Sequence, residues 1–155
     1  MSLSQTLEDA LASITASLAA GGVAVDTAFV APGATAAVDP STCRTTLWVR
    51  LLRAFPSASI PQQEVAPRGG CPSPLAYQIE VGLVRCYIPQ QALNARVTDV
   101  SAIAASAAAC ADDVDLLADA IANADLEDFV LGAYIPLGPE GNMVGGVWTA
   151  HFRQA

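Results

Sequence analysis

The chain has 155 residues, no lysine and one histidine, His151. Without lysine there can be no Walker-type phosphate loop, because that loop needs a lysine to reach the β- and γ-phosphates. There is also no GxSxG elbow, and the lone histidine has no nucleophile near it in sequence. Placed in a strand without partners, His151 reads as an exposed or half-exposed residue with no chemical role. Zinc-type CxxC pairs are absent too: Cys43, Cys71, Cys86 and Cys110 are widely separated. They read as small core or loop residues. Cys43 and Cys71 each precede a strand, and whether they approach one another stays open.

Charge is scarce and one-sided. Charged residues make up 14% of the chain, and the net charge is −8. A nucleic-acid-binding surface needs clustered Lys or Arg against phosphate, which this balance disfavours. The acidity keeps an apolar protein soluble, or it repels a nucleic acid that has to pass without sticking. Arginine supplies all seven basic residues and alanine about a fifth of the chain, usage that points to a GC-rich genome.

Long apolar runs are missing as well. The most apolar helical stretch, SAIAASAAACA (101–111), ends at Asp112 and Asp113. It falls short of the ~20 residues that cross a bilayer. The opening MSLSQTLEDALAS has no basic start and no apolar block, so no secretion leader is expected. With 53% hydrophobic residues the chain is not disordered. Its length suits one domain, residues 1–155, with one core.

What the chain does have is a pair of long strand-like segments, CRTTLWVRLLRAF (43–55) and PLAYQIEVGLVRCYI (74–88). Leu47, Val49 and Leu51 alternate in the first, and Tyr77, Ile79, Val81 and Leu83 in the second. A period of two predicts one buried face and one available face, the latter carrying Trp48, Arg50, Gln78 and Glu80. Two further strands follow, FVLGAYIPL (129–137) and MVGGVWTAHFRQ (143–154), separated by the turn signal PEGN. Gly145-Gly146 inside a strand suggests a bulge or a close backbone approach.

Leu3, Leu7, Leu11, Ile14 and Leu18 predict an amphipathic helix over 3–20, with Ser2 and Gln5 as a capping box and Gly21-Gly22 as the stop. A second helix is predicted over about 99–124. Its buried stripe would be Ile103, Ala107, Cys110, Val114, Leu117 and Ile121, with Asp112, Asp113, Asp115 and Asp119 largely outside it. VAVDTAF (23–29) reads as a short extended piece, and 30–42 as loop. Residues 56–73, with four prolines, are too long for a tight hairpin turn. Within them, residues 56–70 are expected to form an extended arm or mobile loop that orders on a neighbouring subunit. The predicted fold is α+β: a four-stranded antiparallel sheet covered on one face by two helices, in the order α-β-β-α-β-β.

The aspartate group lacks the turn glycine and ligand rhythm of a calcium loop, so it reads as a solvated helix face. No catalytic residue, cofactor or metal is expected. The residues singled out are Trp48, Arg50, Arg53, Glu80 and Arg85, as candidates for a subunit interface, since Trp and Arg concentrate at binding hot spots. An Arg50–Glu80 pair across the sheet explains part of the same set structurally.

Taken together, FVAPG (29–33), CRTTLWVRL (43–51), CPSPLAYQIEVGLVRC (71–86) and VGGVWTAHF (144–152) resemble the tail-terminator proteins of long-tailed phages that infect high-GC bacteria. The resemblance spans most of the chain in order, with LWVRL, LAYQIEVGLVRC and GGVWT its most specific pieces. It implies a virion structural protein, assembled in the host cytoplasm. Family members form a ring, commonly six-fold, that caps the tail tube and docks on the connector beneath the filled head. The implied partners are further copies of the chain, the major tail tube protein and the head–tail connector or stopper protein. DNA passes through the lumen without specific binding, and no membrane is involved. Two other classes compete. One is a different neck protein, a stopper or adaptor. The other is a small ligand-binding α+β domain with Arg50, Arg85 and Glu80 as a polar pocket.

Overall fold

A computed structural model describes residues 2–33, 38–39, 43–64, 73–86, 100–140 and 143–153. Helix α1 spans Leu3–Ala20, as the apolar spacing predicts. Ser2 Oγ accepts a hydrogen bond from the Gln5 backbone N–H at 3.2 Å, which is half of the expected capping box. The Gln5 side chain donates instead to Asp9, at 2.9 Å. At the far end Gly22 adopts φ +87°. There the Gly22 N–H reaches Ala19 O and the Val23 N–H reaches Leu18 O. This pair of hydrogen bonds closes a helix through a left-handed residue, a conformation glycine adopts without strain.

The sheet differs from expectation. Among the described residues it has five strands and is mixed, in the order β1-β2-β3-β5-β4. The strands are β1 Thr27–Val30, β2 Thr46–Pro56, β3 Leu75–Cys86, β4 Val130–Glu140 and β5 Met143–Arg153. Helix α2, Val100–Ala122, lies between β3 and β4 in sequence, so the element order is α-β-β-β-α-β-β. The added strand is β1, which pairs parallel with β2 from Thr27↔Thr46 to Val30↔Val49. Four residues are too few to display a period of two, so the segment reads only as extended. A parallel neighbour needs a crossover of about a dozen residues, which the 31–45 segment provides. The other three pairings are antiparallel.

Both helices pack on one face. Leu7, Ala10, Ile14 and Leu18 of α1 and Leu117, Ala120 and Ile121 of α2 share one buried cluster with Leu47, Val49, Ile79, Val81, Leu83, Ala150 and Phe152. The buried stripe of α2 is rotated from the predicted one: Ser106, Asp113, Leu117, Ala120 and Ile121 are its buried residues, and Ala107 is exposed. Asp113 is therefore not on a solvated face. It is drawn inward by Arg85, which pairs with it from β3.

Cys43 and Cys86 form a disulfide, with Cα atoms 4.7 Å apart. It links the chain just before β2 to the end of β3, so these two cysteines are not ordinary loop residues. Cys71 lies outside the described residues. Cross-links closing loops of this order typically add ~2–4 kcal/mol.

Candidate functional site: the sheet face away from the helices

The face expected to be available is closed at one end by the chain itself. Trp48 is 3% exposed. It sits in a second apolar cluster with Ala31, Val84, Met143 and Val147, against which Phe29 and Val38 also pack. Ala31 and Val38 come from the crossover between β1 and β2, so the connection that makes β1 parallel also covers Trp48. Gly82 faces Trp48 across the ladder, and a Cβ there would overlap the indole ring. Gly146 leaves room for Tyr134 on the opposite face in the same way, and Gly145 sits hard against the β3 backbone at Leu83. The β5 glycines thus mark close approach; the β3–β5 register runs without a bulge.

Next to Trp48 lies a polar group. Glu80 accepts from Arg50 Nε at 2.7 Å, from Arg50 Nη2 at 2.8 Å and from Trp48 Nε1 at 3.0 Å. The Arg50 and Glu80 side chains are only 14% and 12% exposed. Burial pushes the Glu80 carboxyl up, but the hydrogen bonds from Arg50 and Trp48 and the Arg50 charge outweigh it, so the group sits below its ordinary range. The Glu80 hydrogen bond likewise raises Arg50. The pair is a bidentate clamp on a charge that stays ionised.

A bulge at Leu52 shifts the β2 register, so Arg50 and Arg53 share this face although they are three residues apart. Arg53 is exposed. It donates to Gln78 at 2.6 Å and to Gln63 at 3.3 Å, and its guanidinium stacks 4.9 Å from the Phe55 ring centre. His151 meets Phe55 edge-on at 6.2 Å. At 8% exposure it is buried, contrary to the sequence expectation. Alternation chose its face correctly; the aromatic on the bulged strand covers it. Burial and the Arg53 charge lower its pKa, and its Nδ1 has no partner among the described residues.

Residues 57–64 fold back on the same subunit. The Ser57 N–H donates to Pro74 O and the Glu64 N–H to Pro56 O. Ser73 Oγ donates to Glu64 at 2.8 Å and Arg153 to Ala58 O at 3.0 Å. The rest of the expected arm, 65–70, lies outside the described residues.

Arg85 stands apart from the other candidates. It lies on the helix face and pairs with Asp113. Burial raises the Asp113 carboxyl, and the Arg85 charge and hydrogen bond offset this only in part. Asp113 Oδ2 and Arg85 Nε have no hydrogen-bond partner among the described residues. Arg50, Glu80 and Arg85 are therefore split between the two faces and do not form one polar pocket. Sequence reasoning missed Asp113 as the partner of Arg85 because it assigned the helix stripe by apolarity.

Beside this pair, α2, β4 and β5 enclose an apolar groove of about 400 Å³, lined by Ser106, Cys110, Val114, Tyr134, Leu137 and Val144 among others. Burial, with the Asp113 charge, raises the Cys110 pKa, so it is held as a thiol rather than a nucleophilic thiolate. Among the described residues no three His, Cys, Asp or Glu side chains are grouped to hold a metal ion, and no helix is long and apolar enough to cross a membrane. Comparison with family models and with curated proteins finds no match to this chain.

Proposed function

We propose that this chain is a virion structural protein, a tail-terminator subunit. Copies of it form a ring that caps the tail tube and joins it to the head connector. One observation carries the reading. The segments that resemble the tail-terminator proteins fall on β1, β2, β3 and β5, four consecutive neighbours in the sheet. The likeness therefore follows one continuous surface and its core, rather than scattered loops.

The physical chemistry is compatible. A ring needs a contact that joins two different surfaces of each subunit and closes by rotation. An acidic, lysine-free subunit lacks the phosphate-neutralising surface that would grip DNA in the lumen. Imaging of the head–tail junction in particles carrying this chain tests the proposal. The expected result is a closed ring of it at the head-proximal end of the tail tube. Finding one copy per particle, or none, overturns it. A ring located between the portal and the terminator position would instead assign a stopper or adaptor.

A further inference from the structure

We infer that copies of this chain meet through the β4 edge together with the adjoining half of α2. This inference rests on the ring reading and deepens it by locating one side of the contact. The surface differs from the Trp48–Arg50 face that composition favours.

Among the described residues the sheet ends at β4, which pairs only with β5, so no described strand lies beside its outer backbone groups. A long apolar edge is a template for strand addition. Ile135 and Leu137 on this edge are 52% and 37% exposed. The groove against α2 continues the surface, and Leu137 lines both. Val100, at the start of α2, is 72% exposed.

Charge identifies the occupant. Residues 129–139 carry no charged side chain, and neither do residues 100–111. Elsewhere the chain carries fifteen acids against seven bases. Two identical copies with net charge −8 repel wherever their acidic surfaces face, and this uncharged strip is a surface that a different, acidic surface of the next copy can meet without like-charge repulsion. A basic partner would be drawn to the acidic remainder instead, and a nucleic acid would be repelled by it. The edge is also protected against open-ended growth. Pro136 interrupts its donors, and register shifts occur at Leu131/Tyr134 and Leu137/Glu140. Such an edge suits a finite contact.

The test is native mass spectrometry of the full chain over a concentration series into the millimolar range. It compares the wild type, Ile135→Lys/Leu137→Lys, and the control Leu52→Lys, which alters an exposed leucine on the β2 bulge. Thermal unfolding verifies that each variant folds. The wild type and the control are expected to assemble. The double variant is expected to bind copies roughly 100-fold more weakly, as loss of two hot-spot side chains gives. Hydrogen exchange should show amides of 130–138 protected on assembly. A double variant that assembles like the wild type overturns the β4 contact and leaves the ring reading intact. A wild type that stays monomeric overturns the contact, and the ring is then decided by particle imaging. Assembly that stops at two copies, with β4 protected, supports the contact but makes it β4 against β4, and the ring reading fails.

Discussion

Two arginine–carboxylate pairs lie on opposite faces of this sheet, and the pKa values of their carboxyls shift in opposite directions. Arg50–Glu80, on the face away from the helices, lowers its carboxyl pKa; Arg85–Asp113, beneath α2, has a raised one. Both carboxylates are largely removed from water. The difference lies in hydrogen bonding. Glu80 receives three hydrogen bonds, two from the guanidinium and one from the Trp48 indole. Asp113 receives one from Arg85, and its Oδ2 is left without a partner among the described residues. Desolvation is offset only where both oxygens are satisfied.

The largest expected effect is at Glu80. Glu80→Gln removes the charge and turns one acceptor into a donor facing Arg50 or Trp48. Breaking one side of such a pair costs about 3–5 kcal/mol, a large share of the ~5–15 kcal/mol that stabilises a domain. Urea unfolding followed by tryptophan fluorescence measures it. A loss below about 1 kcal/mol would show the clamp to be solvent-compensated and end the contrast.

Asp113→Asn removes the charge facing Arg85 but keeps the Oδ1–Arg85 bond, and Oδ2 has no hydrogen-bond partner among the described residues. It should cost less than Glu80→Gln, about 1–2 kcal/mol, because the Arg85 side chain is 27% exposed and water screens the charge left behind. A loss equal to that of Glu80→Gln would show that the Asp113 charge is compensated as fully as that of Glu80.

The two pairs also act against the usual order of titration. Aspartate ordinarily ionises below glutamate, but here the Asp113 carboxyl is moved up and the Glu80 carboxyl down. Glu80 has a depressed folded pKa, so its stabilisation is present above its unfolded value and is lost as pH falls through the folded one. Asp113 has a raised folded pKa. Just above its unfolded value the folded state holds the extra proton, so this group makes stability fall as pH rises through that window. Carboxyl-carbon NMR of the folded protein reads both shifts directly. A raised Glu80 and a lowered Asp113 would reverse the assignment of which face compensates burial.

How legible these faces were depended on which interactions repeat along the chain. Helix α1 and strands β2, β3, β4 and β5 follow from periodicity, because Leu7, Ile14 and Leu18, or Leu47 and Val49, recur at the spacing of one face. Alternation also placed Arg50 opposite Glu80. It failed where a single local feature overrides it. The bulge at Leu52 brings Arg53 to the Arg50 face, and four residues of β1 pair parallel on the strength of a crossover distant in sequence. Burial of Trp48 was illegible because its cover, Ala31 and Val38, comes from a loop without a pattern. Gly82, directly across from Trp48, was the available signal. A glycine opposite a tryptophan marks where a ring lies flat on the sheet.

The smallest expected effect is at His151, which shares a face with Glu80 but whose Nδ1 has no hydrogen-bond partner among the described residues. Its folded pKa lies below the unfolded value, from burial first and the Arg53 charge second. As pH falls below about 6.5 the unfolded chain gains a proton that the folded chain refuses, so stability declines with falling pH. The carboxylates in reach of this face act elsewhere: Glu80 is clamped by Arg50, and Asp128 pairs with Arg153. His151→Phe keeps the ring against Phe55 and removes the titrating group. At pH 8 it should change stability by less than about 1.5 kcal/mol, as a near-isosteric core swap does. Below pH 6.5 it should flatten the decline seen in the wild type. Urea unfolding of both proteins from pH 8 to pH 5 measures the two slopes. Parallel slopes would show that His151 is protonated without penalty in the folded state, and its Nδ1 would then have a partner such as a buried water.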